Sequence, residues 1–230
     1  MYDQYFDFSS VFAAFDQLMV GSALTLQLTV QAVILGMIVA IVGAWAKTSG
    51  PSWAKAVVNV YVEVIRNTPF LLQLYFFFFG LPALGFRLTP NQAALLTMVI
   101  NLGAYATEIV RAGIEAISHG QTEAGKALGF RPLQIFRLII LPPALRIIYQ
   151  PLAGQFTMVL LGSSVVSAIS ANELTSVANS IQAANFKTFE TYLVVTFIYL
   201  IMVLVFRALF NVIYLRSFGS NGQWQRVPGL

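Results

Sequence analysis

Cysteine is absent from this 230-residue chain, and histidine occurs once, at His119. The first absence excludes disulfides and thiol chemistry. The second leaves no His/Cys/Asp/Glu cluster to hold a metal, so His119 reads as a solvated loop residue. Charge is scarce as well: 10% of the residues are charged, against about 25% in an ordinary soluble domain. No nucleophile–base pair stands out, which argues against a membrane enzyme. There is no G-x-x-x-x-G-K-[ST] phosphate loop, so ATP has no recognisable site in this chain. No basic residue precedes Lys47. A secretory leader opens with a basic region, so the expectation is that the first hydrophobic helix stays in the mature protein.

What the chain has instead is apolar bulk, with 58% hydrophobic residues and a mean hydropathy of +0.76. A 25.3 kDa globule cannot bury that much, so a polytopic membrane protein is expected. Residues 17–46, 67–86, 88–107 and 147–172 contain no Asp, Glu, Lys, Arg or His, and the runs are 30, 20, 20 and 26 residues long. A membrane-spanning helix needs about 20. A fifth run, 191–206, has 16 residues and meets Arg207, which can snorkel or face a partner. Barrel strands would alternate apolar and polar residues, so the spans are helices. The fold class is an all-α membrane protein with five transmembrane helices.

Basic residues orient it. With five spans, one set of loops holds Lys47, Lys55, Arg66, Arg111, Lys126, Arg131, Arg137, Arg146, Arg207, Arg216 and Arg226, and the other holds only Arg87 and Lys187. The positive-inside rule puts the first set and the C-terminus in the cytoplasm, with the N-terminus, carrying Asp3, Asp7 and Asp16, outside. The +4 net charge is this inside bias and calls for a lipid bilayer, not nucleic acid.

Along the chain, residues 9–18 predict a short amphipathic helix on the outer interface, capped by Ser9 or Ser10, with Val11, Phe12, Phe15 and Leu18 on one side. Span one is 20–46 and ends at Ser49-Gly50-Pro51. Span two is broken at Asn67-Thr68-Pro69, between helices at 52–66 and 71–82. Span three, 90–112, opens on Thr89-Pro90. The loop 113–142 predicts two short helices: a capping box of Ser118 with Gln121, a left-handed Gly129, Pro132 at a helix start, and Pro142-Pro143 ending the second helix before span four at 145–168. An outer helix capped by a Ser170–Glu173 box precedes span five at 190–215. The domain reading is an outer segment 1–19, a membrane domain 20–216 and a cytoplasmic tail 217–230, with no internal repeat.

Four ordered segments carry a family signature. Glu123, Ala124 and Gly125 are followed after three residues by Gly129, and nine residues later by Ile139, Leu141 and Pro142. This spacing resembles the EAA loop of ATP-binding cassette (ABC) importer permeases. Residues 61–73, YVEVIRNTPFLLQ, resemble the pattern Y-x-E-x-x-R-[NG]-T-P-[LF]-L-x-Q of that family's polar amino-acid branch, the histidine/arginine/glutamine-type permeases. Residues 104–117, AYATEIVRAGIEAI, and 163–169, SSVVSAI, before Glu173-Leu174-Thr175, resemble it too.

The resemblance implies type I ABC importer permease architecture and a permease subunit for polar amino acids, with no catalytic site of its own. It also implies partners: cytoplasmic ATP-binding subunits that carry ATP and Mg, a second permease that is the same or a homologous chain, and an extracytoplasmic amino-acid-binding protein, all at the bacterial cytoplasmic (inner) membrane. Glu123, Ala124, Gly125, Ala127, Leu128, Gly129, Ile139, Leu141 and Pro142 become the ATPase-coupling residues, with the small residues at 124 and 125 allowing another protein to approach closely. Asn101, Tyr105, Ser163, Ser164 and Ser167 are substrate-path residues, although the serines equally suit helix packing. Glu63 with Arg66, and Glu108 with Arg111, are i, i+3 pairs that brace a helix end or take part in the inner gate. Some family members that carry cationic amino acids place a charge just before the serine pair; here that position is Gly162, so a charged substrate site would fall to the partner permease and not to this chain. A stand-alone secondary transporter or channel is the alternative, disfavoured by the odd span number and the lack of an inverted repeat.

Overall fold

The computed structural model describes residues 7–219. Asp3 and most of the 217–230 tail lie outside the described residues. The described chain is helical: α1 (Ser9–Ala13), α2 (Phe15–Ser49), α3 (Ser52–Arg66), α4 (Phe70–Tyr75), α5 (Pro90–Glu115), α6 (His119–Ala127), α7 (Pro132–Gln134), α8 (Leu141–Gly162), α9 (Leu174–Asn185) and α10 (Thr188–Phe218). Four continuous helices are long and apolar enough to cross a membrane, and the pair Ser52–Arg66 and Phe70–Leu84, bent by 111°, brings the number to five when it is counted as one span. Four of the five expected spans are continuous helices, and α3 and α4 lie where the broken one was expected.

The central contact is α2 against α5, and small residues allow it. A Cβ added at Gly36 would sit 2.9 Å from Leu102, and one at Gly43 would sit 2.5 Å from the Thr107 hydroxyl. Without a hydrophobic force between helices in lipid, such close backbone approach supplies the packing energy. Buried hydroxyls find partners inside the same helix: Thr29 donates to Thr25 O (2.8 Å), Thr97 to Ala93 O (2.7 Å) and Thr107 to Gly103 O (2.7 Å). No polar group is then presented to hydrocarbon at these points.

The break in span two is bridged by the Gln73 side chain, with Asn67 and Thr68 bonding back to Glu63 O and Val64 O (both 2.8 Å). Gln73, buried on α4, donates from Nε2 to Ile65 O (2.8 Å), the carbonyl to which Pro69 has no N–H to offer, and to Thr68 O (3.0 Å), which precedes the restarted helix. Its Oε1 accepts from Asn101 Nδ2 on α5 at 3.0 Å, so the bend is tied to span three.

Several local expectations are corrected. The 9–18 helix divides at Ala14: Phe15 begins the long α2, while Val11 and Leu18 are buried and Phe12 is exposed. Ser9 is the first helical residue, not a cap, and its N–H donates to Asp7 Oδ1 at 2.9 Å. Thr89 does close a capping box with Gln92, but Ser118 makes no side-chain cap. Pro142-Pro143 does not end a helix, since the stretch Pro132–Ile169 reads as one 38-residue span. A π-helical turn at Ile135–Ile140 precedes the prolines and widens the coil where their rings would strike the carbonyls four residues back. Ser170 does not cap α9. It ends a tight 3₁₀ turn (Ser163–Ile169) in the left-handed conformation, and Glu173 itself caps α9.

One end of the molecule holds α6, α7 and the C-terminal end of α10, where Arg146 donates to Phe218 O at 3.1 Å. We call it the handle end. The opposite end holds α1, α9 and Lys187, which pairs with Asp7. Lys187 holds the Asp7 carboxyl well below the usual range.

Candidate functional site

The handle is built by a helix stop. Gly129 has φ +76°, a conformation glycine adopts freely. Phe130 N–H reaches back to Gly125 O (3.1 Å) and Gly129 N–H to Lys126 O (2.9 Å), a Schellman closure. This turns the chain into α7 at Pro132 and folds α6 back on the π turn. Gly125 is buried there: a Cβ would lie 2.6 Å from Ile139 Cδ1. The small residue at 125 thus admits the chain's own Ile135 and Ile139, not another protein. Leu141 and Pro142 continue span four. The outward face carries Glu123, Ala124, Ala127 and Leu128, all exposed, with Leu128 at 73% and Leu133 at 75%. Two large apolar side chains this open on a polar segment form a surface shaped for contact.

Deeper in the bundle, α4, α5 and α8 enclose a cavity of about 190 Å³ lined by Phe70, Met98, Asn101, Gln155, Met158, Val159, Gly162 and Val165. Its polar groups are two neutral amides. Asn101 is half-buried and fixed by Gln73, which leaves its carbonyl oxygen available. Gln155 has no partner among the described residues. Nothing lies within 4 Å of a Cβ added at Gly162, so a side chain there would enter open space.

The three serines do not line this cavity. Ser163 is fully buried and donates to Leu160 O (2.7 Å), Ser164 donates to Leu161 O (2.8 Å) and Ser167 to Ser164 O (2.7 Å). Their hydroxyls close the 3₁₀ turn that follows α8. Tyr105 faces a second, wider cavity of about 380 Å³ toward the handle end, shared with Arg66, Glu108, Arg111 and Pro151.

The two expected ion pairs differ. Glu108 pairs with Arg111 (2.8 Å) and also with Lys47 of α2, while Arg111 reaches on to Glu115. Glu63 and Arg66 do not pair. Glu63 accepts from Asn67 Nδ2 (2.9 Å), and the Arg66 guanidinium lies over the Tyr105 ring, 5.4 Å from its centroid.

The sequence reading missed Gln155, Gln73, Lys47 and Glu173 as site-forming residues. A glutamine inside a charge-free run was the available signal for the first. Glu173 is fully buried at the opposite end. It accepts from Ser176 N (2.6 Å), Thr175 N (2.8 Å) and Tyr199 Oη (2.8 Å). Burial pushes its carboxyl above the usual range, and the three donors pull part of the way back. Among the described residues no group of three or more His, Asp or Glu could hold a metal ion.

Comparison with known proteins joins these features. Residues 21–217 match the family described as binding-protein-dependent transport system inner membrane component. The glutamine transport system permease GlnP of Escherichia coli is 37% identical over 202 residues, which cover 87% of this chain and 92% of the relative. The L-cystine transport system permease TcyB of Bacillus subtilis is 37% identical over 183 residues, 79% and 78% of the two chains. A solved amino acid ABC transporter with histidines overlays with a TM-score of 0.86 at 35% identity, covering 93% of this chain and 100% of that one. The MetNI methionine ABC transporter gives a TM-score of 0.69 at 22% identity over 87% of this chain and 95% of that chain, a likeness of fold. This all-helical chain, with its bent span and its handle, therefore belongs to the binding-protein-dependent transport system inner membrane components: it is an ABC importer permease of the bacterial inner membrane.

Proposed function

We propose that the chain forms half of the path of an amino-acid importer and that its substrate is a polar amino acid with an uncharged side chain. The observation that carries this is the cavity of α4, α5 and α8, whose polar lining is Asn101 and Gln155 and whose position 162 is an open glycine. A cationic side chain entering hydrocarbon needs a carboxylate to offset its desolvation. Glu108 lines the other cavity and is already paired twice. The relatives named for glutamine and cystine favour the same class, while a relative named for arginine, 32% identical over 200 residues, stands on the other side.

The membrane domain is taken as 20–216, with the serines holding the turn beside the path and Tyr105 and Arg66 lining its exit. The handle is the coupling element. Glu123, Ala124, Ala127, Leu128 and Leu133 dock a separate cytoplasmic ATPase that holds ATP and Mg, while Gly125, Gly129, Ile139, Leu141 and Pro142 keep α6 against span four, so that ATP-driven motion of α6 is passed to α8. A second permease completes the path and an extracytoplasmic binding protein delivers the amino acid. The handle end is cytoplasmic and the end with α9 is external, a reading supported by the excess of basic residues at the handle end.

Two experiments test this. In a reconstituted complex, Gly162→Glu puts a carboxylate into the open space of the cavity. It should shift transport toward lysine or arginine by roughly tenfold, the equivalent of about 1.4 kcal/mol, and unchanged selectivity would count against the site. In whole cells, a cysteine at Ser118 should react with an impermeant maleimide only after the inner face is opened, and one at Asn179 from outside. The reverse would invert the topology.

A further inference from the structure

Between Thr191 and Leu215, α10 carries one charged residue, Arg207. It stands 20 residues beyond Lys187 at the far end of the span. At about 1.5 Å per residue that is roughly 30 Å, the thickness of the hydrocarbon core. That separation fits a guanidinium at the handle-side boundary of the membrane, with Lys187 at the other. Aromatic residues mark the same level: Tyr149 stacks near Phe210 and Tyr214, with centroids 6.2 and 5.3 Å away. Tyrosines gather where the bilayer turns polar.

At this level α8 and α10 leave a recess of about 300 Å³, lined by Tyr149, Gln150, Thr157, Arg207 and Asn211 among others. Two of these groups are spent, since Tyr149 donates to Phe210 O and Thr157 to Ala153 O. The amides of Gln150 and Asn211 and the guanidinium of Arg207 have no partner among the described residues, and no carboxylate lines the recess. Three donor groups from two helices therefore converge with nothing to accept from them. The neighbouring helix surface is apolar and open: Leu204, one turn before Arg207, is 55% exposed. The substrate cavity uses other residues of α8, namely Gln155, Met158, Val159 and Gly162, which helical spacing places on roughly the opposite side of that helix.

We propose that this recess binds the phosphate of an anionic phospholipid headgroup in the leaflet on the handle side. A planar guanidinium matches two phosphate oxygens at once, and the two amides supply further donors to the same group. The lipid's charge offsets the cost of holding Arg207 at the edge of the core. Which leaflet this is rests on the topology proposed above, but the site itself does not.

The test uses the full chain in detergent, with binding read by native mass spectrometry. The ligands are short-chain phosphatidylglycerol, short-chain phosphatidylcholine and inorganic phosphate. Phosphatidylglycerol should bind more tightly than the other two, and Arg207→Gln should weaken it roughly fivefold, with Arg207→Lys keeping part of the preference. Thermal unfolding without lipid should not change. If Arg207→Gln fails to fold, the pair Gln150→Leu and Asn211→Leu reads the same loss. Equal binding of both lipids, or inorganic phosphate binding as well as phosphatidylglycerol, would overturn the proposal. So would efficient cross-linking of Asn211→Cys to a second copy in vesicles, because the recess would then be covered by protein.

Discussion

Two short helices, α6 and α9, sit at opposite ends of the bundle, and they are finished in opposite ways. α9 is closed onto its own chain. Leu174, Ala178 and Ile181 are buried, Leu174 N–H donates to Thr25 Oγ1 (3.0 Å), and the Glu173 carboxylate satisfies two of the first N–H groups. α6 buries only Gly125, has no side-chain cap and leaves Leu128 in the open. A helix that satisfies its end groups and buries its apolar face moves with the body it is attached to. α6 is closed at its C-terminus by Gly129 but leaves its first turn uncapped and its apolar side chains open, and that asymmetry supports the proposal that force enters at α6 and not at α9.

The sharpest way to break this contrast is to remove the cap of α9. Glu173→Ala deletes three hydrogen bonds to a carboxylate and leaves the Tyr199 hydroxyl with Thr175 Oγ1 (3.1 Å). It should destabilise the chain by about 3 kcal/mol, and Glu173→Gln, which keeps an acceptor, by about 1 kcal/mol. Thermal unfolding in detergent measures both, and an unchanged midpoint for the alanine variant would mean α9 is not held through Glu173.

The handle should behave the other way. Gly129→Val forces a β-branched residue into the left-handed region at a local cost of about 1–2 kcal/mol. The protein should still insert and unfold cooperatively while ATP hydrolysis no longer drives uptake. Wild-type uptake in reconstituted complexes would refute the coupling role. Leu128→Asp, on a side chain open to solvent, should shift stability by no more than about 0.5 kcal/mol, yet lower co-purification of the ATPase. Retention of the ATPase would show that α6 docks elsewhere.

The smallest effect is one of pH. The Glu173 carboxyl is raised in the folded state, so the folded state holds its proton more firmly than the unfolded chain does. Its contribution to stability is therefore fully present below the unfolded pKa and is lost as pH rises through the raised folded value. Glu173→Gln should flatten that part of the stability–pH curve. A slope that survives in the glutamine variant would assign it to another group.

The sequence by itself determined the four continuous spans and the place of the bent fifth segment, because charge-free runs of about 20 residues have one economical structure in lipid. It also determined the break at Asn67-Thr68-Pro69 and the left-handed Gly129, because proline and glycine act on the backbone locally. Only the tertiary structure decided which polar side chains share a space. Asn101 and Gln155 meet in one cavity while Ser163, Ser164 and Ser167 spend their hydroxyls on their own turn. Glu108 finds Lys47 from 61 residues away, whereas Glu63 and Arg66, neighbours on one helix, face different partners. Spacing along a helix says which residues share a face, but the rotation of that face, and the partner it meets, follow from the packing of small residues such as Gly36 and Gly43 against another span.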